Sequence, residues 1–275
     1  MPSMDSSEPA IVYDLEDSVA RVCLDRPGKL NAFTFAMIDA LRVAIERAAA
    51  DERAVAIVVT GTGRAFSAGL DASDLARSAE GGPIDTPGSP QPGELPALFG
   101  YLLRVEKPVI AAVNGVAAGG GFVLAMMCDL RFASPEASFT TVFSRRGLIA
   151  EHGTSWLLPR LIGTSRALDL LWSSRRIDAA EAFRVGLVDR LVPGEQLLDE
   201  ASRYVRELAA NVSRRSLAVV KAQVYGGLSW SLEEACRDAD RCMREALAHA
   251  DAKEGTASFL ERRPPRFARW KGDPT

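Results

Sequence analysis

The chain has 275 residues, of which 47% are hydrophobic and 25% charged, enough for one large hydrophobic core. Its 33 basic and 36 acidic residues give a formal net charge of -3, so no overall positive field would concentrate nucleic acid or an anionic membrane. We therefore expect neither partner. The polar, acidic N-terminus lacks the features of a secretory signal, and the four cysteines lack CxxC spacing. Both observations favour a cytoplasmic protein.

The first part of the chain alternates between strand and helix patterns. Residues 11–13 and Val19–Leu24 are rich in β-branched side chains and predict a hairpin. Apolar residues then recur at helical spacing over 34–50. Short, wholly apolar runs at 54–60 and Val109–Val113 are typical of strands buried in a parallel sheet. Together these patterns predict an α/β fold.

Two later regions differ from this α/β pattern. Residues 80–93 are rich in Gly, Pro and Ser and predict an exposed loop, which we interpret as an active-site flap. Beyond Pro193 the apolar spacing is almost wholly helical, with helices expected over 195–210, 216–225 and 232–249 and a last one through Phe259. We therefore divide the chain into an α/β core at 1–195 and a helical region at 196–275.

A run of three glycines, Gly119, Gly120 and Gly121, joins a predicted strand to a predicted helix. Glycines let a ligand oxygen approach the backbone, and the helix start adds partial positive charge, so this turn is a candidate oxyanion site. Close helix–strand packing without a ligand is the structural alternative. A second amide-rich turn, at 61–71, follows the earlier buried strand, and one N–H from each turn would make a two-donor oxyanion hole.

The sequence contains five distinctive blocks: Leu24-Asp-Arg-Pro, Ala65-Phe-Ser-Ala-Gly-Leu-Asp, the run from Lys107 to Gly121, Leu158-Pro-Arg-Leu-Ile-Gly and the run from Ala179 to Asp189. Through these blocks it resembles the crotonase (enoyl-CoA hydratase/isomerase) superfamily along almost its whole length. The resemblance implies an α/β spiral of ββα units whose helical C-terminal region forms homotrimers or dimers of trimers. It also implies an acyl-CoA substrate, with CoA as part of the thioester and no further cofactor, and oxyanion amides at Ala68 and Gly120.

The chain departs from the family pattern at the two glutamates that family hydratases carry, since Val123 and Phe143 occupy those positions. Neither side chain can transfer a proton. Glu151, by contrast, matches the position of a catalytic carboxylate in family isomerases, and one acid suffices to move a double bond. We therefore expect an enoyl-CoA isomerase with Glu151 as acid/base.

Three alternatives to this interpretation stay open. An enoyl-CoA hydratase could use Glu151 with a rearranged water, because one scaffold in this family serves several reactions. A catalytically silent acyl-CoA-binding subunit would also explain the loss of both hydratase glutamates. Glu151 itself could be a solvated acid or the partner of a nearby arginine. The neighbouring His152 could orient Glu151 or be purely structural.

For the CoA moiety, the resemblance suggests that the loop at 26–31 and the segment at 68–71 line the binding channel. Its candidate lining and phosphate-binding residues are Arg26, Lys29, Asn31, Ala68 and Asp71. Two distant histidines and scattered carboxylates provide no ligand spacing, so no metal is predicted.

Overall fold

The computed structural model describes residues 10–79 and 95–269, and the predicted flap at 80–93 lies outside them. The described residues contain ten strands: β1 (Ile11–Glu16), β2 (Val19–Leu24), β3 (Ala56–Gly61), β4 (Ala65–Ser67), β5 (Val109–Val113), β6 (Val116–Ala118), β7 (Leu130–Ala133), β8 (Ser138–Thr140), β9 (Ile177–Asp178) and β10 (Arg190–Leu191).

The same residues form ten α-helices, four of which follow one another at the C-terminal end. They are α1 (Phe35–Ala50), α2 (Ala72–Ala79), α3 (Gly120–Met127), α4 (Thr154–Ile162), α5 (Thr164–Ser173), α6 (Ala179–Val185), α7 (Leu197–Asn211), α8 (Arg214–Gly227), α9 (Leu232–Ala248) and α10 (Ala250–Glu261). No helix in the described ranges is long and apolar enough to span a membrane.

The strands form two sheets that the chain visits in turn. One sheet has the order β1-β2-β3-β5-β7-β10 and the other the order β4-β6-β8-β9. Each of the pairs β3/β4, β5/β6 and β7/β8 places its first strand in the six-stranded sheet and its second in the four-stranded sheet. Helices α2, α3 and α4 follow these pairs, so the chain advances as a spiral of ββα units. This confirms the predicted fold class.

The six-stranded sheet is covered on both faces. Strands β3 and β5 are buried along their whole length, as their apolar runs predict. Helix α1 begins where the Thr34 side chain accepts a hydrogen bond from the Met37 amide, and its buried face joins the main core. Helix α7 packs against the sheet through a second cluster that includes Leu197, Ala201 and Val205. The α/β core therefore makes contacts beyond residue 195.

Candidate active site

Two turns that follow strands of the four-stranded sheet meet at Gly69 and Gly120. A Cβ atom on Gly69 would lie 2.7 Å from the Ala118 carbonyl oxygen and 3.2 Å from the Gly120 nitrogen. Gly69 also has a φ of +93°, a conformation that side chains rarely adopt. Glycine at position 69 is therefore required for the two backbones to approach this closely.

The backbone at Phe33 fixes which amides face the junction of these turns. Phe33 donates its N–H to the Gly69 oxygen at 2.7 Å, and its own oxygen accepts from the Asp71 N–H at 2.8 Å. Leu70 lies between Gly69 and Asp71 and forms a strand-like bridge with Phe33. Because successive residues of an extended segment face opposite sides, the Leu70 N–H points away from Phe33. Among the described residues, neither the Leu70 N–H nor the Gly120 N–H has a hydrogen-bond acceptor. Both residues are partly exposed.

This arrangement corrects the predicted oxyanion donor at Ala68. The Ala68 N–H already donates to the Leu30 oxygen at 3.0 Å and is not available to a ligand. Leu70, two residues later on the same strand-like segment, presents its N–H instead. The motif located a turn with an unpaired amide, but it did not show which of its amides the neighbouring backbone uses.

The two positions of the family's hydratase glutamates lie in the core. Val123 is 0% exposed within α3, and Phe143 is 4% exposed at the turn after β8. Both side chains belong to the main hydrophobic cluster. These two positions therefore offer only apolar, buried side chains.

Glu151 precedes α4 and is about one third exposed, with 35% of its side-chain surface accessible. Its Oε2 lies 3.5 Å from Nε2 of His152. Two nearby arginines bond elsewhere, Arg145 to the Ser173 oxygen and Arg160 to the Trp156 oxygen. Across the described ranges no arginine pairs with Glu151, which argues against a purely ion-paired surface role.

A short series of contacts connects Glu151 to the amide junction. His152 accepts a hydrogen bond at Nδ1 from the Leu98 N–H, at 3.4 Å. The next residue, Phe99, packs its ring 5.5 Å from that of Phe33, measured between centroids. The Phe33 ring in turn lies 3.4 Å from where a Cβ on Gly120 would stand. No sequence motif marks Leu98 or Phe99, because this connection depends on tertiary packing.

Most residues predicted to bind CoA have internal partners. Asn31 is 0% exposed; its side-chain nitrogen donates to the Thr62 and Ala65 oxygens, and its side-chain oxygen accepts from the Arg26 N–H. The prediction that Asn31 contacts CoA is therefore wrong, because all of its hydrogen-bonding groups are used and water cannot reach it.

The charged residues of the predicted CoA loop behave differently from one another. The Arg26 guanidinium donates to Asp71 at 3.2 Å and to the Ala32 oxygen at 2.7 Å. Hydrogen bonds from Ser73, and secondarily the Arg26 cation, hold the pKa of Asp71 below its ordinary value. Lys29 is exposed, and its side chain makes no hydrogen bond or ion pair with any described residue. Lys29 is thus the cation in this loop that is free to meet a phosphate.

A large cavity begins next to the Glu151 segment. Its volume is about 850 Å³, and its lining is mainly apolar. Gly153 and Trp156 border it on one side, Ala97 and Leu103 on another, and residues of α8 close it. The Lys221 ammonium, in the α8 wall, is neutralised by Asp129 at 2.7 Å. The cavity has the size and polarity of a site for an apolar ligand group.

Comparisons with known proteins agree with this geometry. The family model described as enoyl-CoA hydratase/isomerase matches residues 14–270. A probable enoyl-CoA hydratase of Rhodobacter capsulatus is 37% identical over 260 residues, which cover 94% of this chain and 97% of that protein. A probable enoyl-CoA hydratase/isomerase of Mycobacterium abscessus, known from its crystal structure, superposes with a TM-score of 0.85 at 32% identity, covering 94% and 99% of the two chains. The chain belongs to the enoyl-CoA hydratase/isomerase family.

Proposed function

We infer that this enzyme moves a carbon–carbon double bond in an enoyl-CoA through a thioester enolate. The observation that carries the proposal is the pairing of one partly exposed carboxylate, Glu151, with apolar, buried side chains at Val123 and Phe143. A reaction that needs two acids has no second acid at those positions. A reaction in which one carboxylate removes a proton and returns the same proton needs no second acid.

In the proposed reaction a 3-enoyl thioester binds with its carbonyl oxygen between the Leu70 and Gly120 amides. The Glu151 carboxylate removes a proton from the α carbon, and the electron pair of that C–H bond moves into a dienolate. Negative charge then rests on the thioester oxygen, where the two N–H groups stabilise it. The protonated Glu151 returns the proton at the γ carbon, which leaves the double bond between the α and β carbons.

Hydration of a 2-enoyl-CoA is the second candidate. The names of the relatives favour it, since the R. capsulatus protein is called a probable enoyl-CoA hydratase. In that case Glu151 would activate a water for attack at the β carbon, and the same amides would hold the enolate. The two candidates share the site and differ in whether water enters the product.

The experiment that distinguishes them incubates the purified enzyme with 3-enoyl-CoA and 2-enoyl-CoA of equal chain length. The products are separated by liquid chromatography against reference isomers, and their masses are measured by mass spectrometry. Bond migration at unchanged mass supports the proposal. A product heavier by one water from the 2-enoyl substrate, without migration from the 3-enoyl substrate, would replace it with hydration. Binding without either product would leave only the acyl-CoA-binding role.

The proposal extends to the acyl group and to assembly. The 850 Å³ cavity beside Gly153 is a suitable receptor for the apolar end of the acyl chain. We further propose a cytoplasmic homotrimer or dimer of trimers, which the mass in solution tests. Large apolar side chains exposed on the C-terminal helices support association: Val220, Val224, Leu232, Met243, Leu247, Phe259 and Leu260.

A further inference from the structure

We propose that His152 is a positioning residue that holds the Glu151 carboxylate with its Nε2–H while its Nδ1 is anchored to the backbone at Leu98. The inference rests on the proposed function, because it gives His152 a role only through Glu151. It assigns a task to a residue that the reaction itself does not require.

The two ring nitrogens of His152 face different partners. Nδ1 accepts the Leu98 N–H at 3.4 Å, so the lone pair on this nitrogen is in use. A neutral imidazole with an acceptor Nδ1 carries its proton on Nε2. That nitrogen is the one that lies 3.5 Å from Oε2 of Glu151. The ring therefore presents a donor to the carboxylate, and both distances leave room to shorten when a substrate binds.

The backbone at His152 has a φ of +52°. This left-handed conformation is uncommon for residues other than glycine, and Gly153 continues it with a φ of +76°. Successive left-handed residues reverse the chain just before α4 and bring the side chains of two sequence neighbours together. A non-glycine residue held in such a conformation marks a position where the surrounding structure imposes a geometry.

The imidazole ring of His152 is uncharged near neutral pH. Burial lowers the pKa of His152 below its ordinary value, and the nearby Glu151 opposes this effect only in part. The imidazole is thus neutral near pH 7 and keeps one donor and one acceptor. The free acceptor that a general base needs is occupied by the Leu98 N–H, so positioning, rather than proton transfer, is the role that remains.

Replacing His152 by glutamine or by asparagine tests its contacts with Glu151 and with Leu98 separately. The side-chain amide of glutamine extends to the position of Nε2, whereas that of asparagine ends near Nδ1. His152→Gln can therefore still donate to Glu151, while His152→Asn keeps the Leu98 contact and tolerates the left-handed backbone well but cannot reach the carboxylate. We expect kcat to fall about 10- to 100-fold in the asparagine variant, and KM to change little, because the carboxylate is misplaced. The glutamine variant should keep kcat within about threefold of the wild type.

A purely structural role makes the opposite prediction. If His152 served only to shape the turn and anchor Leu98, His152→Asn would retain activity and His152→Gln would lose it. Equal kcat values for the two variants, whether both low or both unchanged, would also overturn the inference. Urea unfolding of both variants shows whether each is folded before kcat is compared.

NMR spectroscopy tests the protonation and the tautomer of the His152 ring without relying on activity. The chain has two histidines, so ¹⁵N-labelled histidine gives two ring systems in the NMR spectrum. His249 caps α10 by accepting the Asp251 N–H, and His249→Asn keeps that cap while removing one set of signals. We expect the remaining ring to be neutral near pH 7 with its proton on Nε2. A proton on Nδ1 would contradict the proposal.

A double-mutant cycle distinguishes failure of this inference from failure of the proposed function. In a Glu151→Gln background, His152→Asn should cause no further loss of kcat, because the group it positions is gone. If Glu151→Gln alone retains full activity, the proposed function fails. If Glu151 is essential but His152→Asn lowers kcat by the same factor in the wild-type and Glu151→Gln backgrounds, only the inference about His152 fails.

Discussion

Nε2 of His152 lies 3.5 Å from Oε2 of Glu151, although the two residues are neighbours in the chain. Neighbouring side chains usually diverge, and here the left-handed backbone at His152 turns them toward each other. The same imidazole contacts Leu98, whose neighbour Phe99 packs against Phe33 beside the turn at Gly120. The predicted acid/base and the amide junction are thereby parts of one connected structure.

The partly buried, neutral state of His152 predicts a pH dependence of stability. Its folded-state pKa is lowered from 6.5, so the unfolded chain binds more protons once the pH falls toward and below 6.5. The free energy of unfolding should therefore decrease as the pH drops through that range. Urea unfolding at pH 7.5 and 5.5 should show a smaller decrease for His152→Gln than for the wild type. An equal decrease in both proteins would mean that His152 contributes nothing to it.

The close approach of the two turns at Gly69 predicts a loss of activity in Gly69→Ala. The new Cβ would meet the Ala118 oxygen at 2.7 Å in a conformation that alanine rarely adopts, so the amides must separate. We expect a large fall in kcat and a loss of about 1–3 kcal/mol of stability. Gly227→Ala is the control, because no atom lies within 4 Å of its added Cβ and its φ is not positive. Unchanged kcat in Gly69→Ala would argue that the junction is not the oxyanion site.

The buried hydrogen bonds of Asn31 predict that its replacement affects folding. Asn31→Ala removes the side-chain donor to the Thr62 and Ala65 oxygens, although the Ala65 oxygen still accepts from the Asn114 side chain at 3.2 Å, and it places alanine at a φ of +54°. We expect a destabilisation of about 2–4 kcal/mol, measured by urea unfolding, without a specific change in KM for acyl-CoA. A KM effect in a variant of normal stability would restore Asn31 as a ligand contact.

For the exposed Lys29 we expect an effect on substrate binding and almost none on stability. Lys29→Ala should leave stability within about 0.5 kcal/mol of the wild type, because the side chain bonds to no described residue. It should raise KM for acyl-CoA without lowering kcat, since a phosphate contact far from the reacting atoms binds substrate and transition state equally. The increase in KM should shrink at high salt. A salt-independent KM equal to that of the wild type would exclude the contact.

The cavity beside the Glu151 segment predicts a variant with altered chain-length preference. Ala222 lines the cavity from α8 and is exposed, so Ala222→Phe adds volume inside the cavity without disturbing the core. We expect a fall in kcat/KM for long-chain substrates while short-chain substrates react as before. Ser216→Phe on the same helix is the control, since Ser216 is exposed and is not part of the cavity lining. A uniform effect on all chain lengths would place the acyl group elsewhere.

The sequence predicted most of the elements that local patterns determine. Helix α1 and strand β5 match their predicted ranges closely, because amphipathic spacing and continuous apolar runs report burial directly. The glycine run likewise located the turn at Gly120. The sequence did not show which hydrogen-bonding groups are already paired within the protein.

Two corrections illustrate that limit. The Ala68 N–H bonds to Leu30 and the Asn31 side chain to Thr62, and each partner lies more than 30 positions away in the chain. Local pattern has no access to such pairings. The strand-like alternation around Gly69 could have pointed to Leu70, but only with Phe33 known to lie alongside it.

The rate of double-bond migration in Glu151→Gln, measured with a 3-enoyl-CoA against the wild type, tests the central claim most directly. Glu195→Gln, a change of the same kind at an exposed site with no bonded partner among the described residues, is the matched control. The account predicts a loss of about 10²–10⁴-fold in kcat for Glu151→Gln and none for the control. Migration at the wild-type rate in Glu151→Gln would contradict it.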